Sequence, residues 1–455
     1  MEDGIYSEAH RPRFHFSAKR GWLNDPNGLV YYAGEYHLFF QWSPTRRIPE
    51  DEGVDSRLYW GHAVSPDLVH WTELPPAIYP DEFGAAFSGS GVVDWDNTAG
   101  LQSGDERTIA LFYTAAGGQS IESQGQPFTQ RMVYSTDRGR TWTIYAGNPV
   151  LTNVIGENRD PKVFRHAPTG QWVMALYLDG NDYALFASDD LKTWRRVCDI
   201  NMPGCSECPD MFELAVDGDP ANTKWVFVGG NGRYFIGSFD GTTYTSESGP
   251  FVADFGANYY ATQSFSDIPD GRRIQMAWMA GGKYPGMPFN QQMSFPCELT
   301  LRTLPEGVRL FRQPIRELGA LHDSEHRFEN IELGGGDPLP DIEGDLFDIR
   351  AEFSVEEAAD LCLTIRGEEL KYSAADRRLT LLGCSADIVP RGGRLKLQVL
   401  ADRTSVEVFA NDGEVVMSCC FLPDAANRTI GLRAEAGRAR VESLSVFGLR
   451  SAWVA

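Results

Sequence analysis

Apolar residues in the first two thirds of the chain fall into short runs rich in aromatic and β-branched side chains. Examples are Tyr36 to Gln41, Ile109 to Thr114, Trp172 to Tyr177 and Trp225 to Gly229. Runs of this length and composition predict strands. Each is followed by one signature, a serine, an aspartate two residues on, then an aromatic: Ser65, Asp67, Trp71; Ser135, Asp137, Trp142; Ser188, Asp190, Trp194; Ser238, Asp240, Tyr244. The aromatics lie 50 to 71 residues apart. A strand pair, an Asp-bearing turn and a further strand, repeated at that period, is the content of a propeller blade. Opening strands are predicted at Gly28 to Tyr32, Ser88 to Asp94, Asp160 to Arg165, Asp210 to Val216 and Tyr260 to Ser264, which makes five blades. The alternative is a β-sandwich whose Ser-Asp-Trp turns coincide by chance.

The pattern changes after about residue 305. Leu318 to Glu325 predicts a short helical connector, and Gly334 to Pro340 is loop chemistry. From Phe347 onward short alternating strands predominate: Leu361 to Arg366, Leu379 to Leu382, Leu395 to Ala401, Ser405 to Phe409, Glu414 to Ser418 and Arg440 to Phe447. Asn411-Asp412-Gly413 reads as a hairpin turn, because Asp-Gly tolerates the positive φ such turns need. The expected fold is all-β: a five-bladed β-propeller over 1–310, a linker with a short helix or loop over 311–340, and a β-sandwich over 341–455.

Charge narrows the function. Among 455 residues, 41 Lys and Arg stand against 63 Asp and Glu, a net charge of −22. Nucleic acid is excluded as a partner, since binding it takes clustered positive charge. No apolar run reaches the roughly 18 residues a membrane span requires, so no membrane association is expected. The start, Met1 to His10, lacks a basic-then-apolar leader, so the expected location is the cytoplasm, or outside the cell if a leader has been removed. Eight cysteines follow no disulfide framework and are expected as reduced thiols. Cys205 and Cys208 have the spacing of half a zinc site, but the second pair is missing, so neither metal nor cofactor is expected.

Propeller sites form at the channel mouth, where the inner strands begin. A carboxylate just before such a strand is therefore a candidate, and Asp25, Asp160 and Glu207 qualify. Each lies one or two residues from a proline, which stiffens the backbone that presents it. Three convergent carboxylates without a histidine cluster suit glycosidic bond chemistry, in which a retaining enzyme needs an ionised nucleophile and a protonated acid about 5 to 5.5 Å apart. Alone, Asp-Pro is more simply a surface turn; three in register with the blades favour a site.

Trp22-Leu23-Asn24-Asp25-Pro26-Asn27-Gly28, Phe87-Ser88-Gly89-Ser90, Arg159-Asp160-Pro161 and Glu207-Cys208-Pro209-Asp210 resemble, in order and spacing, the signature motifs of glycoside hydrolase family 32, the invertases, levanases and inulinases. Asp402 to Phe409 followed by Asn411-Asp412-Gly413 resembles that family's C-terminal sandwich, so the likeness covers both domains. It implies a retaining β-fructofuranosidase acting on terminal fructosyl units of fructans, fructo-oligosaccharides or sucrose. Asp25 would be the nucleophile, Glu207 the general acid/base and Asp160 the transition-state stabiliser. Arg159 would donate to sugar hydroxyls and keep neighbouring carboxylates ionised. Asn24, Gln41, Trp60, Phe87 and Ser88 match positions lining the fructose subsite. Trp278, Asn258 and Cys208 are further candidates, although Cys208 reads equally as a packing residue and a propeller tryptophan is more often core than sugar platform.

Departures from the family are visible. Trp42-Ser43-Pro44-Thr45-Arg46-Arg47, followed by acidic residues, replaces the usual asparagine-proline loop on the leaving-group side. Asn258-Tyr259-Tyr260 lacks an acidic residue common before the tyrosines, and Lys283 to Phe289 is closer to levanase-like members. Three other readings stay open: a fructosyltransferase passing the same intermediate to a sugar hydroxyl, a non-catalytic sugar-binding propeller, and an arabinan- or xylan-cleaving propeller enzyme. The sandwich is expected to bind polymer, shape the cleft or form a homodimer interface.

Overall fold

The computed structural model describes residues 5–45, 57–334, 337–339, 342–355, 360–436 and 439–453. Among these, the first part of the chain forms five antiparallel units of four strands each. Blade 1 holds Gly21–Tyr32, Glu35–Ser43, Tyr59–Ser65 and Thr72–Ile78, and blade 2 holds Ala85–Asp94, Thr108–Ala116, Thr129–Ser135 and Thr143–Ile144. Blade 3 runs from Arg159–His166 to Arg195–Asn201, and blade 4 from Asp210–Val216 to Tyr244–Val252. Blade 5 comprises Tyr260–Ser264, Arg273–Trp278, Cys297–Leu304 and Gly307–Pro314. The leading strands pack beside one another around a channel. Phe289–Asn290 pairs in parallel with Gly21 and Trp22, tying the last blade to the first.

The Ser-Asp-aromatic signature is the turn from third to fourth strand in blades 1 to 4. Asp67 accepts the backbone N–H groups of Val69 and His70 at 3.0 and 2.8 Å, and Asp190 those of Lys192 and Thr193 at 2.9 and 2.8 Å. The carboxylate thus satisfies amides that the turn leaves unpaired. Inside the channel, the Lys162 ammonium donates to the Ser264 carbonyl at 2.9 Å and pairs with Asp210 at 3.0 Å, linking the inner strands of blades 3, 4 and 5.

The connector differs from expectation. The helical turn is a 3-10 segment at Arg316–Leu321, and His322–Leu333 is a strand paired with Ala439–Leu449. Leu318 and Leu321 bury themselves under that turn, whereas the polar run after it takes an exposed edge of the sandwich. Of the loop expected over 334–340, residues 335, 336 and 340 lie outside the described residues. One sandwich sheet contains His322–Leu333, Ala439–Leu449, Phe347–Val355, Arg394–Ala401, Ser405–Ala410 and Val415–Cys420; the other contains Cys384–Asp387, Arg378–Leu381, Glu368–Ser373, Asp360–Ile365 and Ile430–Ala436. Their inner faces enclose a core that includes Phe347, Phe353, Leu363, Val399 and Val446. Asn411-Asp412-Gly413 is the predicted hairpin turn, with φ of 48°, 58° and 87°. A Cβ on Gly413 would lie 1.9 Å from the Arg312 carbonyl, so glycine also lets this hairpin dock on the propeller.

Candidate active site

The inner strands of blades 1, 2, 3 and 5 each begin with a β-bulge. In blade 1, Leu23 pairs with Trp42 and Pro26 with Phe40, so Asn24 and Asp25 together oppose Gln41. In blade 2 the extra residue is Ser88, between pairs Phe87–Thr114 and Gly89–Tyr113. In blade 3, Asp160 and Pro161 oppose Leu176. A bulge re-aims side chains that a regular pleat would alternate between faces. Proline suits such a position because it has no N–H to leave unpaired. The strand over residues 21–32 therefore starts earlier than predicted, with the motif that carries Asp25 as its irregular beginning.

Glu207 is delivered differently. Its loop is seated on Gly229 and Gly230: the Gly230 N–H donates to the Ser206 carbonyl at 2.7 Å, and a Cβ on Gly229 would stand 2.7 Å from that of Cys205. Asp160, Glu207 and Cys208 have φ of 63°, 48° and 31°. Left-handed backbone at non-glycine residues costs about 1–3 kcal/mol each and persists where the surroundings enforce it.

These devices bring the three carboxylates together. The Cys208 thiol lies 3.6 Å from Asp25 Oδ2 and 3.5 Å from Asp160 Oδ2, and its backbone N–H donates to Asp160 Oδ2 at 3.0 Å. Asp25 accepts from Ser88 Oγ at 2.5 Å and from Asn24 Nδ2 at 3.0 Å. Gln41 locks both donors, accepting from Asn24 at 2.8 Å and donating to Ser88 at 2.7 Å. Glu207 accepts from Arg159 Nη2 at 2.7 Å on one oxygen and from the Tyr260 hydroxyl on the other. Arg159 also stacks on the Tyr177 ring and reaches to 3.9 Å from Asp160.

Of the three carboxylates, Glu207 and Asp160 thus have the Arg159 guanidinium beside them, while Asp25 is held by neutral donors. Burial, and then the neighbouring Asp25, push Asp160 up to about 7 against the pull of Arg159. Burial raises Asp25 as well, opposed by the hydrogen bonds from Ser88 and Asn24. Asp25 raises Asp160 by its charge, and Glu207 raises Asp25, so the proton that Asp160 holds into the neutral range belongs to the coupled group.

Two expected pocket residues have their polar groups engaged by the protein itself. Trp60 has no exposed surface; its indole N–H donates to the Phe87 carbonyl at 3.0 Å, and its ring packs with Phe39 and Tyr113. It shapes the bulge at Ser88 from behind and cannot touch a sugar. Asn258 is committed to the domain contact, accepting from the Cys420 N–H at 2.7 Å and donating to the Ala280 carbonyl at 2.5 Å. Phe87 is half-buried, edge-on to Phe128. Trp278 is half-buried, edge-to-face with Trp22 and Tyr260, its indole N–H fixed by Gln291 at 2.9 Å. Cys205 donates to the Arg233 carbonyl at 3.3 Å, away from Cys208 and the carboxylates. Residues 46–56 of the loop after Gln41 lie outside the described residues.

Tyr260 is the chief residue that a search for carboxylates passes over. It opens the fifth inner strand as the pair just before the bulge, the station that Arg159 occupies in blade 3, and that position was the available signal. Gly229 and Gly230 offered none beyond an adjacent pair of glycines.

Residues 15–314 match the model of the glycosyl hydrolases family 32 N-terminal domain and residues 317–448 that of the family 32 C terminal. The chain is 38% identical to a levanase of Bacillus subtilis over 99% of its own length and 72% of that protein. It is 29% identical to an extracellular exo-inulinase of Aspergillus ficuum over 98% of this chain and 96% of the other. Among solved structures, the exo-inulinase of Aspergillus awamori superposes with a TM-score of 0.87 at 27% identity, covering 98% of this chain and 100% of that one. With both family domains matched in sequence and architecture, the chain belongs to glycoside hydrolase family 32.

Proposed function

We propose that the protein is a retaining β-fructofuranosidase that removes terminal fructosyl units from fructans, fructo-oligosaccharides or sucrose. The observation that carries this reading is the meeting of Asp25, Asp160 and Glu207 around Cys208. An Asp25 oxygen attacks C2 of the fructosyl unit, and the bond from C2 to the leaving oxygen breaks. Glu207 supplies the proton that oxygen needs. Water, deprotonated by Glu207, then attacks C2 and frees Asp25, so configuration is retained after two inversions. Asp160 accepts from ring hydroxyls and offsets the oxocarbenium-like positive charge that develops on the sugar, while Ser88 and Asn24 hold Asp25 in line.

Preorganisation supports the assignment. Asn24, Gln41 and Ser88 form a closed set of hydrogen bonds that fixes the Asp25 carboxylate before substrate arrives. The test is parallel incubation with sucrose, inulin and levan, products resolved by chromatography. Release of free fructose, initially as the β-furanose, is expected from at least one of them. Fructose-free oligosaccharides or dianhydrides would replace hydrolysis by transfer, and intact substrates would overturn the proposal.

A further inference from the structure

The link from blade 4 to blade 5 is built partly by the other domain. Residues 254–258 run between the last strand of blade 4, Tyr244–Val252, and Tyr260, and they lie along Val415–Cys420, the edge strand of the six-stranded sandwich sheet. The N–H groups of Phe255 and Asn258 donate to the carbonyls of Val416 and Ser418 at 2.8 and 3.0 Å. In return, the Ser418 N–H donates to Asp254 Oδ1 at 2.9 Å and the Cys420 N–H to Asn258 Oδ1 at 2.7 Å. Residues 416, 418 and 420 are alternate positions of the strand, so the outer row of backbone groups that the sheet leaves open is taken by this segment. A Cβ on Gly256 would stand 2.1 Å from the Ser418 carbonyl oxygen, so the close approach needs a glycine there.

Asn258 carries that contact toward the carboxylates. Its oxygen takes the Cys420 N–H, and its amide nitrogen donates to the Ala280 carbonyl at 2.5 Å. Tyr260 follows Asn258 by two residues, Trp278 precedes Ala280 by two, and Tyr260 and Trp278 are paired across the fifth blade. One side chain therefore clamps both strands of that pair to the sandwich. The next residue, Ala261, donates its N–H to the Gly230 carbonyl at 2.6 Å, which ties the same strand to the seat of the Glu207 loop.

The end of this series of contacts is Glu207. Arg159 can only donate, so Oε1 of Glu207 is held as an acceptor, and the proton of the acid form belongs on Oε2, the oxygen that meets the Tyr260 hydroxyl. The aim of that oxygen depends on where Tyr260 stands, and a general acid works only within hydrogen-bond reach of the oxygen it protonates. We propose that Asn258 is a positioning residue through which the sandwich domain sets Tyr260, and with it the proton-delivering oxygen of Glu207. This rests on the β-fructofuranosidase reading above and gives the second domain a part in the first chemical step.

The test separates acid assistance from general damage by the choice of leaving group. Sucrose needs its leaving oxygen protonated, whereas p-nitrophenyl β-D-fructofuranoside releases a stable phenolate and does not. On both substrates kcat/KM, which reports the steps up to the fructosyl-enzyme, is measured for the wild type, Asn258→Ala, Asn258→Leu, Asn258→Asp and Tyr260→Phe, with thermal unfolding as the check on folding. In Asn258→Ala and Asn258→Leu the value on sucrose falls about tenfold, part of the roughly 10²–10⁴-fold that a general acid supplies, and on the aryl fructoside it stays within about twofold. Tyr260→Phe shows the same split. Asn258→Asp, which keeps the oxygen that Cys420 meets, recovers most of the loss. Equal losses on the two substrates, or no loss on sucrose, overturn the proposal, as does a Tyr260→Phe enzyme without the split. Unfolding of both the alanine and the leucine variant overturns it too, since Asn258 would then be a structural residue only. A wild type that releases no fructose from sucrose, inulin or levan instead refutes the parent reading, so the two failures are distinct.

Discussion

Two groups of buried carboxylates in this molecule have opposite surroundings. At the propeller mouth, Asp25, Asp160 and Glu207 crowd together, with Arg159 beside the last two. At the domain contact, Asp402 and Glu407 of the sandwich grip His15 of the propeller at 2.8 and 2.7 Å, all three with fully buried side chains. Here the protein supplies donors without stint. Asp402 also accepts the backbone N–H groups of Arg13, Phe14 and His15, and Glu407 those of Phe295 and the Ser418 hydroxyl. Ser418 continues to Asp254, which pairs with Arg312 at 3.0 Å.

The same residue type consequently shifts in opposite directions. Burial alone would raise Asp402, but the His15 hydrogen bond and charge, with the amides of Arg13 and Phe14, outweigh it and bring it down. Burial also opposes a charged His15, yet its two carboxylate partners raise it to about 9. At the mouth the Cys208 N–H and thiol do not offset burial and the neighbouring Asp25, and Asp160 goes up instead. A buried acid completed from within is glue; one left short of partners is available to a ligand's hydroxyls and to protons.

Breaking each group should therefore do different things. Asp25→Asn should lower kcat on sucrose or fructan by about 10⁴-fold or more, as removal of a covalent nucleophile does in other hydrolases. It should leave the thermal midpoint equal or higher, because one of three like charges is gone. A variant that loses activity only in proportion to lost folding would erase the contrast.

His15→Ala does the reverse. It strands two buried carboxylates, and breaking such a pairing costs about 3–5 kcal/mol. Urea unfolding should register that loss, while kcat of the folded fraction stays near wild type. The pH dependence sharpens the point. The folded value for His15, about 9, lies above its ordinary 6.5, so its contribution to stability is whole below 6.5 and disappears as pH rises through 9. Asp402 is shifted down, so its contribution is present above its ordinary 3.8 and lost as pH falls through its folded value. The thermal midpoint should thus decline across the alkaline range in the wild type, and that decline should be absent in His15→Asn.

What the sequence revealed follows the same divide between local and distant. Blades 1 to 4 were legible because each repeats a turn whose hydrogen bonds span only two or three residues, and the fifth followed from its strand-like runs. Asp25, Asp160 and Glu207 were legible because proline and strand starts mark them along the chain. The bulges were not, since a bulge exists only against the register of a partner strand. Trp60 reads like a sugar platform until its neighbours are known; Gly28, with a hypothetical Cβ 3.0 Å from the Trp60 ring, shows how completely it is packed. Asn258 answers to Cys420, across the domain contact, and His15 lies 387 and 392 positions from its two partners. Pairings at that distance leave no local signal.

The smallest effect tests the link between the carboxylates themselves. Cys208 places a weak donor against both Asp25 and Asp160, and its own thiol is held protonated by burial and by those same anions. Replacing it by alanine keeps the Cβ and removes only the S–H, so the backbone N–H to Asp160 survives. Asp25 then loses a hydrogen bond that favours its ionised form. Its titration should move up, and with it the acid limb of the pH profile of kcat/KM, by a fraction of a pH unit, since a lost weak hydrogen bond is worth about 1 kcal/mol or less. Cys208→Ser, which restores a hydroxyl donor in the same place, should return the limb toward lower pH. An acid limb that stays in place in both variants would mean that the thiol only fills space between the two acids.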